Sequence, residues 1–464
     1  MLYLHNTLNK QKEEFRSINP GKVGMYVCGP TVYDYIHIGN IRSYLTADIV
    51  RRYLEYLGFE VRHINNITDV GHLTEDDIAQ GDSGEDKMEK SALAEKKTPE
   101  EVAKFYEEYF HETEDKMNIL RAHFFPKATV HIPQMIKMIS TLIEKGYAYE
   151  KNGNVFFDVK KFKDYGKLSG NTLDNLKVGA RIEEHPDKKN PWDFALWLKA
   201  PKGHLMKFKS PWSIGYPGWH IECSAMSSEY LGDTFDIHTG GEDNIFPHHE
   251  AEIAQSESFS GKKFVNYWIH TRHLLVDGEK MSKSKGNFYK LEDILEKGYS
   301  AMELRLLLLS SHYRSQMNFT WDAINQAKAN FQRISDFVNT ESSKNGPSIK
   351  LEKYREKFEE AMDDDLNTPV ALSVLYELIT ETNKSSPSNT EEILKFWEKM
   401  NKVFGLIVST GKAEAPEDIK KLAQERDDAK KIKDFNESDR IRKLIEEKGY
   451  VIEDTKEGYR IKKK

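Results

Sequence analysis

The chain has 464 residues, 38% of them hydrophobic and 31% charged, which is enough for two or three domains at about 150 residues each. Its two cysteines exclude a disulfide framework, and no run of ~20 consecutive apolar residues is present to cross a membrane. A formal net charge of −7 does not announce a nucleic-acid binder, although net charge says little about local patches. With no cleavable leader evident, the expected compartment is a reducing cytoplasm.

In chain order, Val23 to Cys28 reads as a short buried strand that stops at Gly29-Pro30, where proline forbids a central ladder. Ile41, Leu45, Ile49, Tyr53 and Leu57 then recur every fourth residue, predicting a helix from about Gly39-Asn40 with one apolar stripe, ended by Gly58. Glu60 to Ile67 reads as the next strand. In such a β-α-β unit the first loop lies at the carboxyl edge of the sheet, and the helix N-terminus attracts phosphate. His37 and Asn40 fall there, although a surface histidine at a helix start is an equal reading of His37. No G-x-G-x-x-G dinucleotide fingerprint accompanies them.

Gly81 to Lys97 is charged and reads as an exposed loop plus a solvated helix, with a cover over the site as its further possibility. From about Lys127 to Leu205 lies an apparent insertion, with a helix over Ile132 to Lys145 and a strand over Asn154 to Val159. The plain reading of each cysteine is a small buried hydrophobe. Their surroundings point elsewhere: Cys28 ends the first strand beside the phosphate loop, and Cys223 lies within Gly218 to Met226. His248 and Glu252, four apart after Pro247, share one helix face, the spacing that lets two ligands grip one ion. Cys28, Cys223, His248 and Glu252 form a borderline-soft zinc set, with His249, His238 and His220 as rival ligands that composition does not separate.

Lys280 to Asn287 places two lysines around Met281-Ser282 beside small hydroxyl residues and Gly286. Such a run suits a triphosphate and equally suits a solvated surface loop. After Tyr289 the pattern is helical, through Leu291 to Leu309, Phe331 to Val338 and Tyr354 to Met362. Asp363 to Pro369 caps a further helix at Val370, while Glu341 to Ser348 and Ser385 to Asn389 read as linkers. From Lys421 to Lys464 there are 14 Lys/Arg against 11 Asp/Glu, including Lys430, Lys431, Lys433, Arg440, Arg442 and Lys443. A solvated helix explains that excess as well as a nucleic-acid surface does. The chain ends as a hairpin, Tyr450 to Ile452 against Tyr459 to Ile461, around Lys456-Glu457-Gly458.

His37-Ile38-Gly39-Asn40 and Lys280 to Ser284 resemble the two signatures of the class I aminoacyl-tRNA synthetases, usually written HIGH and KMSKS. The second matches letter for letter; the first departs at Asn40, which keeps a neutral amide donor but no imidazole. Asn66 to Asp69, Asp193 to Trp197 and Trp219 to Met226 extend the similarity, specifically to the cysteinyl-tRNA synthetases. The resemblance implies an α/β fold: a class I Rossmann-like catalytic domain (1–300) with a connective insertion (about 127–205), followed by a helical bundle domain (301–405) and a small C-terminal mixed domain (406–464) that reads the anticodon. It also chooses Cys28, Cys223, His248 and Glu252 as the ligands of one Zn2+ per chain. His37, Asn40 and Lys283 are implied at ATP with Mg2+, Lys280 joins Lys283 in neutralising the leaving phosphates, and Thr68, Trp219 and His238 surround the cysteine.

The implied reaction joins L-cysteine to tRNA(Cys) through cysteinyl-adenylate, and the expected state is a monomer. Zinc suits that substrate, because a pocket that sorts by size alone separates near-isosteres by only about 10–200-fold, whereas zinc distinguishes a thiolate from a hydroxyl. Catalytic zinc usually keeps three protein ligands and an open position, so Glu252 is expected to bind weakly or the ion to become five-coordinate. Two other classes fit less of the chain. A zinc-dependent ligase coupling cysteine to an amino-sugar acceptor needs no long helical extension, and a non-catalytic zinc-bearing RNA-binding module needs no ATP signatures.

Overall fold

The structure, a computed structural model, describes residues 1–71, 73–75, 83–172, 185–282, 285–340, 346–408, 416–432, 434–455 and 458–463. Several sequence expectations lie outside these residues: Lys283 and Ser284 of the second signature, the start of the charged segment at Gly81, most of the 341–348 linker, Lys433, and residues 456–457 of the terminal turn. The chain forms two compact units, one of Met1–Phe331 with Ser343–Leu406, the other of Gln332–Ser342 with Ile407–Lys464.

At the centre of the first unit is a four-stranded parallel sheet, in the order Val265–Thr271, Phe235–Gly241, Lys22–Val27, Glu60–Asn65. Its strands are covered on both faces, so they read as near-continuous apolar runs: Val23, Met25, Tyr26 and Val27 are all buried. The second strand is shorter than the sequence suggests. Beyond Asn65 the chain leaves this ladder, and Ile67 bridges Lys127 while Thr68 bridges Thr31.

The connecting helix is Ile38–Tyr56, and its apolar stripe is only part of its buried surface. Arg42, Asp48, Arg51 and Arg52 are buried as well, because the helix has the sheet on one side and helical segments on the other. Arg52 donates to the Lys402 carbonyl (3.1 Å) and the Tyr53 hydroxyl donates to Asp363 (2.8 Å). Charge at those positions serves packed partners rather than solvent.

Between the halves of the parallel sheet lies a five-stranded antiparallel sheet, ordered Phe208–Lys209, Ile214–Pro217, Phe194–Lys199, Asn154–Phe157, Ala148–Lys151. The helix Ile132–Glu144 buries Met135, Met138, Ile139 and Leu142 in the same core as Val155, Phe157, Phe194 and Trp197. After the parallel sheet, Gly298 at φ +83° separates the helices Leu291–Glu296 and Ala301–Leu309, a break that the leucine pattern alone concealed. A short strand, Met317–Phe319, pairs with Leu274–Val276 before the helices Trp321–Val338, Glu352–Asp363, Thr368–Ser385 and Thr390–Phe404. As expected, Asn367 caps the third of these, accepting from the Val370 N–H (3.4 Å).

In the second unit the helices Glu417–Lys431 and Phe435–Glu447 pack Ile419, Ala423, Ile441 and Ile445 around Ile452. Ile452 belongs to the terminal antiparallel pair Tyr450–Thr455 and Gly458–Lys463, the hairpin foreseen in the sequence.

Candidate active site

The order of the parallel sheet reverses between Lys22–Val27 and Phe235–Gly241, and at their carboxyl ends lies a cleft of about 560 Å³. Such a switch point is where open α/β sheets hold ligands. Cys28, Gly29, His37, Asn40, Lys87, Trp219, Gly240, Asp243 and Phe288 are among the lining residues. Close backbone approach forms its floor: a Cβ on Gly29 would stand 1.6 Å from the Asn66 carbonyl oxygen.

His37 is the N-cap of the first helix. Its Nδ1 accepts from the N–H groups of Gly39 (3.0 Å) and Asn40 (3.2 Å), while Asn40 Oδ1 accepts from the His37 N–H (3.1 Å). This reciprocal box leaves the Nε2–H of His37 and the amide Nδ2 of Asn40 as the remaining donors of the two side chains. Burial pushes His37 below the usual histidine range, which favours the neutral tautomer the cap requires.

The two signatures meet. Phe288 stands edge-on to His37 with centroids 5.1 Å apart, and the Ile38 N–H donates to the Tyr289 carbonyl (2.9 Å). A Cβ on Gly39 would lie 2.8 Å from Met281 Cε and 2.9 Å from His37 Cε1, so only glycine leaves the first signature this close to the second. Asn287 folds the second signature over, accepting from the Ser282 N–H (2.8 Å) and donating to the Lys280 carbonyl (3.3 Å). Lys280 is exposed at the end of a short strand.

Beneath the cleft, Cys28, Cys223, His248 and Glu252 bring one donor atom each to within 4.8 Å of one another. Cys28 directly follows the Lys22–Val27 strand, Cys223 lies in the Trp219–Leu231 helix, and His248 and Glu252 occupy the first turns of the His248–Ser260 helix. A second set, Cys28, His238, His249 and Glu252, meets the same test. Glu252 is common to both: Oε1 stands 3.0 Å from His248 Nε2, and Oε2 stands 2.9 Å from His238 Nε2. Burial opposes its charge, but His238 and His248 outweigh burial and hold the carboxyl at about 2. Burial likewise opposes protonation of His248, yet Glu252 and Cys223 push it up to about 10. Burial also raises the Cys28 thiol well above its usual range, whereas its hydrogen bond to Cys223, with His248 nearby, lowers Cys223. Cys223 is therefore the first of the pair to become thiolate.

Trp219 is half-buried and packs on His248 with centroids 4.4 Å apart, so it serves both the cleft wall and the core. Thr68 and His238 are fully covered. The Thr68 hydroxyl donates to Glu222 (2.9 Å) and accepts from Asn66 Nδ2 (3.2 Å). Asn66 Oδ1 in turn accepts from the Gly29 N–H (2.9 Å) and stands 3.7 Å from Cys223 Sγ. His238 stacks on Trp268 at 4.6 Å. Sequence reading missed Glu222 as Thr68's partner, because nothing in its spacing marks a contact 154 residues away.

The parallel sheet with its switch-point cleft, where the two signatures touch, is that of a class I aminoacyl-tRNA synthetase. Residues 14–329 match the family described as tRNA synthetases class I (C) catalytic domain, and residues 357–408 match the DALR domain. The chain belongs to the cysteine–tRNA ligases within that class. It is 43% identical over 483 residues to a cysteine–tRNA ligase of Chlorobaculum tepidum and 42% identical over 478 residues to that of Chlorobium chlorochromatii, covering 98% of each chain in both comparisons. The fold is similar to that of Mycobacterium tuberculosis methionyl-tRNA synthetase bound by methionyl-adenylate, with a TM-score of 0.57, 13% identity, and 83% of this chain and 88% of that chain covered.

Proposed function

We propose that this chain activates L-cysteine with ATP to cysteinyl-adenylate and pyrophosphate, then transfers cysteine to the 3′-terminal adenosine of tRNA(Cys). The observation that carries the reading is the meeting of the two signatures at a cleft lined by the half-buried Cys28, whose sulfur clusters with that of the buried Cys223. In-line attack of a carboxylate on the α-phosphate needs positioning and charge stabilisation more than covalent help. His37 Nε2–H, the Asn40 amide and the start of the first helix face the phosphates or ribose as neutral donors. Lys280 and Lys283, with Mg2+, neutralise the leaving pyrophosphate. Lys283→Ala should depress cysteine-dependent pyrophosphate exchange while leaving metal content intact; unchanged exchange would remove Lys283 from this role.

Cys28, Cys223, His248 and Glu252 are the residues that would hold zinc. The donor chemistry fits: two sulfurs, an imidazole and a carboxylate held ionised, all converging in a buried site. The rival histidines stand at the same donors, His249 Nε2 3.2 Å from Cys28 Sγ and His238 Nε2 2.9 Å from Glu252, so the choice of His248 rests on the family resemblance. When bound, zinc supplies a Lewis-acidic centre that prefers the substrate thiolate to serine's hydroxyl. Trp219 closes the side of that pocket, while Thr68 and His238 position its lining through Asn66 and Glu252.

Both cysteines are free thiols, which suits a reducing cytoplasm, and we read the chain as a monomer. We assign residues 1–300 to catalysis, with the insertion at about 127–205, residues 301–405 to stem contact and anticodon approach, and 406–464 to anticodon recognition. Incubating the protein with ATP, labelled cysteine and total tRNA tests the reading. Label should enter tRNA in an alkali-labile ester; label in an amino-sugar acceptor instead, or no ATP turnover, would overturn it.

A further inference from the structure

Two residues after Asn40, in the second turn of the Ile38–Tyr56 helix, Arg42 is only 2% exposed. Among the described residues no carboxylate meets its guanidinium. Nη1 donates to the carbonyls of Arg272 (2.7 Å) and His273 (3.4 Å), and Nη2 donates to those of His312 (2.9 Å) and Ser315 (2.8 Å) and to the Ser311 hydroxyl (3.4 Å). Burial pushes the group down to about 10, and the charge of Glu242 offsets only part of that. A buried cation without a paired carboxylate is costly, so an ion pair does not account for Arg42.

The four carbonyls come from two segments. Residues 272–273 join the strand Val265–Thr271 to Leu274–Val276, and residues 310–316 join the Ala301–Leu309 helix to Met317–Phe319. Leu274–Val276 is the middle strand of a three-stranded sheet, parallel to Met317–Phe319 and antiparallel to Glu279–Lys280. Arg42 therefore grips the root of the strand that carries Lys280, and the root of that strand's other neighbour. The second segment is fixed from another side as well: Asp365, fully buried, accepts from the Tyr313 hydroxyl (2.6 Å) and Arg314 Nε (2.5 Å). The Arg272 N–H closes the two segments on each other by donating to the Tyr313 carbonyl (2.8 Å). A planar fork of donors fits several carbonyls at once, whereas an ammonium is a point charge without that geometry.

We propose that Arg42 is a positioning residue for adenylate formation, holding the hairpin that carries Lys280 and Met281 in register with the helix that carries His37 and Asn40. The inference rests on the cysteine-activating reading above. Arg42 stands apart from the residues lining the cleft, so it acts through the hairpin. The tolerance is small. Met281 Cε lies 2.8 Å from where a Cβ on Gly39 would stand, and a misplacement of about 1 Å at a reacting group costs up to about 100-fold in rate.

The test compares wild type with Arg42→Lys, which keeps the charge and the apolar stem without the fork, and with Arg42→Gln, which keeps neither fork nor charge. In both, kcat for cysteine-dependent pyrophosphate exchange should fall about 10- to 100-fold, while the KM for cysteine and the metal content keep their wild-type values. A merely structural Arg42 would lower the melting temperature and leave kcat of the folded protein alone. Amide hydrogen exchange gives a readout independent of activity: Leu274 to Lys280 should lose protection in the variants, and the Trp219–Leu231 helix should keep it. Wild-type kcat in a folded variant, or unchanged protection of Leu274 to Lys280, would overturn the proposal. So would failure of both variants to fold, which would assign Arg42 to folding alone. A wild-type chain without cysteine-dependent exchange would instead overturn the reading of the reaction, and amide exchange would still decide whether Arg42 holds the hairpin.

Discussion

At the first signature, Asn40 replaces the histidine that usually ends the motif, and its geometry gives the substitution a purpose. Its Oδ1 closes the capping box on the His37 backbone, and its amide N–H groups remain for a ligand, so a neutral donor survives the change. Gly39 is the tighter constraint. Gly39→Ala should drive Met281 and the His37 ring away and lower cysteine-dependent pyrophosphate exchange by about tenfold or more, since small misplacements of a reacting group cost that much. A variant with native circular dichroism and wild-type exchange would show that the two signatures need not touch. A separate residue, His63, contributes to acid stability. Burial, followed by Arg51, pushes it down to about 3, from an unfolded value near 6.5. Its contribution is therefore complete above about pH 6.5 and lost as pH falls toward 3, by about 1.4 kcal/mol per unit. Urea titrations at pH 6.5 and 5 should show wild type losing about 2 kcal/mol more than His63→Leu; parallel losses would contradict the neutral ring. The four sulfur, imidazole and carboxylate donors named from the sequence lie close together, and so do Cys28, His238, His249 and Glu252; sequence could not separate the two sets, because both converge on Glu252.

Among the elements, the first helix carries more than its apolar stripe predicted. Asp48, with no exposed side-chain surface, accepts from Arg52 Nε (2.8 Å) and Arg305 Nη2 (2.5 Å), while Arg305 also donates to the carbonyls of Phe404 (2.7 Å) and Met117 (2.8 Å). Burial opposes charge on Asp48, yet the two guanidiniums hold its carboxyl below the usual range. Asp48→Asn leaves buried cations uncompensated and should cost about 3–5 kcal/mol in equilibrium unfolding. A loss under about 1 kcal/mol would mean that the carbonyls alone satisfy Arg305. None of this was legible in the periodicity, which marks apolar positions and treats charge as solvated. The insertion was legible as an interruption, and its docking was not. Glu250, next to His249, accepts from the N–H groups of Gly166 (2.9 Å), Leu168 (3.1 Å) and Ser169 (2.8 Å), so this carboxylate pins the insertion to the His248–Ser260 helix.

For the whole molecule, the parallel sheet, the insertion and the helical succession follow from alternating strand and helix patterns, and they place the cleft where strand order reverses. The two compact units did not follow from length or composition, because the boundary runs within the Trp321–Val338 helix, whose sequence is continuous in pattern. Net charge was equally uninformative: a chain at −7 nevertheless carries cationic side chains at the second signature and along its last helices. On the function we propose, the cleft activates cysteine and recognises its sulfur through the donor set of Cys28, Cys223, His248 and Glu252. Pyrophosphate exchange with cysteine and with serine, measured alongside metal content for wild type and Cys223→Ser, tests it most directly. Exchange should occur with cysteine but not serine, and metal and cysteine-dependent exchange should be lost together in Cys223→Ser. Exchange that persists in a metal-free Cys223→Ser protein, or equal exchange with serine in the wild type, would contradict it.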